Sequence, residues 1–83
     1  MQASEYLDKT IKNIVHTIMT DGTNGEWEKV HDGLRELCFC CKVKGLGLGD
    51  FELLRKEIIQ ALEMFQPFAK THIEQAERYG KLQ

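Results

Sequence analysis

The chain has 83 residues, of which 42% are hydrophobic and 29% charged, and a formal net charge of −2. That length bounds it to one domain with a thin core, burying about 60–65% of the surface its unfolded chain exposes, and the composition argues against a disordered tail. Lys and Arg are interleaved with Glu (Glu28-Lys29, Arg35-Glu36, Arg55-Lys56-Glu57), which argues against a surface that displaces counterions from nucleic acid.

No run approaches the ~18 apolar residues of a membrane span, and residues 1–10 lack the apolar segment of a signal peptide, so no membrane partner is expected. Cys38, Cys40 and Cys41 are an odd number of thiols crowded into one helical turn. Such spacing does not suit disulfide geometry, and a reducing, cytoplasmic setting is the reading that follows.

The first periodic segment runs from about Ser4 to Thr20, with Ser4 as the expected N-cap. Leu7, Ile11, Ile14, Val15 and Ile18 recur at three- and four-residue steps and share one helical face, with His16 opposite them in solvent. Asp21-Gly22-Thr23-Asn24-Gly25 is a turn by composition. Thr23 and Glu26 have the spacing of a capping box for a second helix, 26–44.

The stripe of the second helix is Trp27, Val30, Leu34, Leu37, Cys38 and Cys41. Gly33 lies beside that stripe, where it would let a neighbouring helix come close. Gly45 is the expected C-terminal cap. Asp50 is the expected N-cap of the third helix, with Glu52 adding charge in its first turn.

The third segment spans 51–79. Phe51, Leu54, Ile58, Ala61, Leu62 and Phe65 share a face that continues through Ala69, His72, Ile73, Ala76 and Tyr79. Pro67 removes a backbone donor and disfavours helical geometry at Gln66. Because the stripe stays in phase across it, one kinked helix is favoured over two separate helices. Gly80 is the expected stop. The whole chain, 1–83, therefore reads as one all-α domain. The expected architecture is a small three-helix bundle with a long Pro-kinked C-terminal helix, or four helices if Pro67 starts a new one.

Catalytic constellations are absent from the pattern. No nucleophile stands at a recognisable offset from His31 or His72, so no catalytic residue is assigned and the chain reads as a non-enzyme. Gly45-Leu46-Gly47-Leu48-Gly49 follows a helix and lacks the Lys-Ser or Lys-Thr that closes a phosphate loop, so it reads as a connection. The stretch Leu37–Phe51, followed by Leu54, Ile58 and Leu62, resembles the globin segment that leads into the G helix. The heme-ligand position of that family falls on Cys41, and no heme or other cofactor is expected.

Cys38 and Cys41 read as small buried hydrophobes, with Cys40 off the stripe. A metal site assembled from His31, Cys38, Cys41 and His72, or a thiol sensor built on the three cysteines, is the alternative.

Met19, Phe39, Leu53, Met64 and Phe68 are apolar and lie off the main stripes. Surplus of this kind on a small domain marks an interface, and Met and Phe suit one. The expected function is a small cytoplasmic protein-binding module that acts as adaptor, regulator or inhibitor of a larger partner. Self-association, as a homodimer or larger, is expected as well.

Overall fold

The computed structural model describes the backbone of residues 3–82 and the side chains of residues 5–79. It is an all-α bundle of four helices: α1 (Ala3–Thr23), α2 (Trp27–Lys44), α3 (Leu48–Glu63) and α4 (Ala69–Leu82). The direction of the chain reverses at each short connection. Lys44 at the end of α2 pairs with Asp8 near the start of α1, and Arg55 of α3 reaches Glu77 of α4. The bundle thus has two ends. The α2–α3 connection lies at one; the α1–α2 and α3–α4 connections lie at the other.

Each helix contributes apolar side chains to one core. Ile18 comes from α1; Val30, Leu34, Leu37 and Cys41 from α2; Ile58, Ile59 and Leu62 from α3; Ala69, Ile73 and Ala76 from α4. Ile11, Ile14 and Val15 are only partly buried against it, because α1 packs mainly on α2. Ile59 lies outside the predicted stripe. It is buried because α3 touches all three other helices, so its apolar arc is wider than one 3.6-residue stripe supplies.

Two glycines set the helix spacing. A Cβ on Gly33 would stand 2.6 Å from Cγ1 of Ile18, and one on Gly22 would stand 2.4 Å from Cδ2 of Leu62. The expected close approach at Gly33 is present.

The expected caps differ. α1 begins at Ala3, ahead of the Ser4 cap, whose side chain lies outside the described residues. α1 also runs on to Thr23, and the Thr23 hydroxyl donates to the Met19 carbonyl at 2.8 Å instead of capping α2. Glu26 occupies the N-cap position of α2 without a side-chain cap bond. Gly45 does end α2 in the left-handed conformation, φ 90°, with its N–H directed to the carbonyls of Cys41 and Lys42.

α3 starts at Leu48, so Asp50 is its third residue and not its cap. From there the Asp50 carboxylate accepts the Gly47 N–H at 3.2 Å, which serves one of the orphan donors at that helix start. Gly80 does not stop α4, which continues to Leu82.

The kinked third helix is replaced by two helices. α3 ends at Glu63, and residues 64–68 form a connection before α4. Pro67 cannot donate to the helical ladder, and Phe68 adopts φ 64°, a left-handed geometry that no α-helix continues through.

Candidate functional site: an apolar loop at one end of the bundle

The α3–α4 connection is Met64-Phe65-Gln66-Pro67-Phe68, and its backbone is tied down. The N–H groups of Phe65 and Gln66 both donate to the Leu62 carbonyl, at 2.9 and 2.8 Å. The Ala69 N–H donates to the Gln66 carbonyl at 3.3 Å, and the His72 N–H to the Phe68 carbonyl at 3.0 Å, which opens α4. The Gln66 side chain reaches across to α1, where its Nε2 donates to the Thr23 carbonyl at 2.6 Å. That bond serves one of the carbonyls left without a helical partner at the end of α1.

This anchored loop nonetheless holds three large apolar side chains in water. Met64 is 82% exposed, Phe65 63% and Phe68 72%. Phe65 belonged to the predicted core face. The helix ends before it, so the 3.6-residue period no longer determines its direction, and it turns outward. Phe68 is the one non-glycine residue of positive φ among the described residues. For a residue with a Cβ, that conformation costs about 1–2 kcal/mol. The left-handed turn would be made at lower cost by glycine and the ring is not buried, so neither the turn nor the core requires Phe at this position, and such strain concentrates at functional sites.

The other predicted interface residues lie apart from the loop. Phe39 is exposed on the outer face of α1 and α2, beside a groove with Thr10, Ile14 and Cys40. Leu53 is exposed on α3, beside a groove lined by Lys56, Ile59 and Lys70. Met19 is half-buried and packs against the core. Of the five predicted residues, the structure brings only Met64 and Phe68 together, and it adds Phe65. The general pattern is nevertheless strong: all seven aromatic residues of the chain are exposed or only partly buried, and every large side chain of the buried core is aliphatic.

The alternative metal set is spread out. His72 stacks on Trp27, ring centroids 5.1 Å apart and 7° from parallel, at the start of α2. Cys38 lies eleven residues farther along that helix, about 16 Å away at 1.5 Å per residue. His31 lines a cleft between α2 and α3 with Cys38, Arg35 and the Arg55–Glu77 pair. Among the described residues, no three His, Cys, Asp or Glu side chains are grouped so that they could hold a metal ion. Cys41 is buried, and Cys38 and Cys40 are half-exposed. Burial pushes the Cys41 thiol above its ordinary 9.0, reinforced by the neighbouring Cys38 and Cys40 and by Asp50, against a smaller opposing effect of Lys44. His16 is exposed, as its position opposite the apolar face requires.

No helix among the described residues is long and apolar enough to cross a membrane. Comparison with protein-family models, with curated proteins and with solved structures finds no match to this chain.

Proposed function

We propose that the protein is a small protein-binding module of the cytoplasm that docks on a larger partner through the loop 64–68, acting as an adaptor, regulator or inhibitor. The observation that carries this reading is Phe68, an aromatic ring that is exposed and held in a left-handed backbone at the same time. Met64 and Phe65 of the same five-residue loop are apolar and exposed as well, and aromatic and Met side chains are the residue types that anchor interfaces. The Gln66 bond to α1 and the ring of Pro67 hold the loop in one shape, which reduces the entropy lost on binding.

The test is site-specific photo-crosslinking in the source cells, with a benzophenone amino acid in place of Phe65. One discrete adduct is expected, competed away by unlabelled protein and lost when Phe68→Asp is added. The same adducts from a probe at the exposed Glu57, on the helical face of α3, would overturn the reading.

A further inference from the structure

We propose that the cleft between α2, α3 and α4 binds a free α-amino acid with an apolar side chain. The inference is independent of the docking loop, since none of residues 64–68 lines this cleft.

The cleft has a volume of about 410 Å³, within the ~300–1,000 Å³ of small-molecule sites, which form readily between the helices of a bundle. Its floor is apolar. Leu34 is buried, Phe51 packs against the core and remains partly exposed, and the Cys38 thiol is half-exposed beside them.

The polar wall is built on the Arg55–Glu77 pair. Nε and Nη2 of Arg55 both donate to the same carboxylate oxygen, Glu77 Oε1, at 3.2 and 2.7 Å. A fork-on-fork pair would engage both oxygens. Here Glu77 Oε2 and Arg55 Nη1 have no hydrogen-bond partner among the described residues. The two side chains are only 21% and 29% exposed, so the pair is held in the wall of the cleft. It therefore offers an unused cationic donor and an unused anionic acceptor side by side.

The rim repeats that balance. Arg35 of α2 and Glu52 of α3 are exposed at the edge of the cleft, so two guanidinium groups face two carboxylates. A ligand with a single charge is attracted by one member of each pair and repelled by the other. A zwitterion is attracted by both. An α-amino acid carries its ammonium and carboxylate on one carbon: the carboxylate reaches Arg55 Nη1, the ammonium reaches Glu77 Oε2, and an apolar side chain lies on Leu34 and Phe51. Charge-assisted bonds of this kind are the strong ones, and they join α2 to the pair that already links α3 and α4.

Cys38 reports occupancy because its thiol lines the cleft, and Cys40 is the internal control because it lines the separate groove beside Phe39. The wild-type chain is alkylated with iodoacetamide in the presence of L-phenylalanine or L-leucine, and each cysteine is followed by tandem mass spectrometry. At least one of the two amino acids is expected to slow Cys38 saturably at millimolar concentrations and to leave Cys40 unchanged. Hydrocinnamate lacks the ammonium of L-phenylalanine and phenethylamine lacks its carboxylate. Each should bind at least about tenfold more weakly than the amino acid that protects, because a hydrogen bond between charged groups is worth a factor of that order or more. Glu77→Gln keeps an acceptor for Arg55 and removes the anion, so it should weaken protection to a similar degree in a protein that circular dichroism shows to be folded. The comparison of ligands on wild type decides the matter if that variant does not fold. Neither amino acid slowing Cys38, equal protection of Cys40, or hydrocinnamate or phenethylamine protecting as well as the amino acid overturns the proposal.

Discussion

Gly33→Ala sets helix propensity against packing at a single position. Alanine gains about 1 kcal/mol over glycine in a helix interior, so in open space the substitution would stabilise α2. At Gly33 the new Cβ would stand 2.6 Å from Cγ1 and 3.2 Å from Cδ1 of Ile18. Ile18 is fully buried and β-branched, so its χ1 has essentially one helical rotamer. Cγ1 sits one bond from its own Cβ, and no rotation of the terminal methyl clears it. The helices must therefore part, and overpacking of this kind costs about 1–3 kcal/mol. We expect a net loss of about 1 kcal/mol, the overpacking cost exceeding the propensity gain.

Gly49→Ala is the control. It lies in the first turn of α3 with nothing within 4 Å, and its φ is not positive. There the same substitution should stabilise by about 0.4–1 kcal/mol. Urea unfolding followed by Trp27 fluorescence and far-ultraviolet circular dichroism gives both values, and about 1 kcal/mol corresponds to 4–8 °C in Tm for a domain of this size. A Gly33→Ala protein at least as stable as wild type, alongside a stabilised Gly49→Ala, would refute the close approach of α1 and α2.

Phe68→Gly should raise Tm by several degrees, since it relieves about 1–2 kcal/mol of left-handed strain and removes a side chain that buries little, and it should weaken partner binding in the same protein; a fall in Tm would remove the strain argument. Gln66→Ala should cost about 0.5–1.5 kcal/mol and speed amide hydrogen exchange at residues 64–68, with unchanged exchange counting against the Thr23 anchor. Thiol titration should find Cys38 and Cys40 reactive in the native protein and Cys41 only with denaturant. The raised Cys41 thiol also sets a pH dependence. Below its ordinary 9.0 folded and unfolded states both hold the proton and stability is flat. Above that, the unfolded chain loses its proton first, so stability falls until the folded thiol ionises too. The urea midpoint measured one unit below and one unit above pH 9 should therefore drop more in wild type than in Cys41→Ala.

The helical class and most of the core were legible because the stripes of α2 and α3 obey a 3.6-residue period over several turns. Val30, Leu34, Leu37 and Cys41 follow it without exception. Ends were less legible, since they depend on what the neighbours supply. α1 extends through Gly22 because Leu62 packs against that glycine, a contact forty residues away in sequence. α3 starts early because the Asp50 carboxylate reaches back to Gly47 from inside the helix. Periodicity across Pro67 was misleading: Phe65 and Ala69 keep phase on paper, yet the residues between them leave helical geometry. In the candidate site, Met64 and Phe68 were found as apolar residues without a stripe. Phe65 was missed for the same reason that the break was, and the adjacent Pro67 was the one local signal for both.

Stability and the proposed recognition draw on different residue types in this molecule. The buried core is made of Ile, Leu, Val, Ala and one Cys, with Trp27 and Phe51 packed against it, so the exposed aromatic rings can be rewritten without touching what keeps the helices together. Substitutions at exposed positions usually change stability by no more than about 0.5 kcal/mol, which leaves residues such as Met64 and Phe65 free to drift toward new partners. Phe68 alone couples the two properties. Any replacement that relaxes its backbone also removes the ring, and any that keeps the ring keeps the strain.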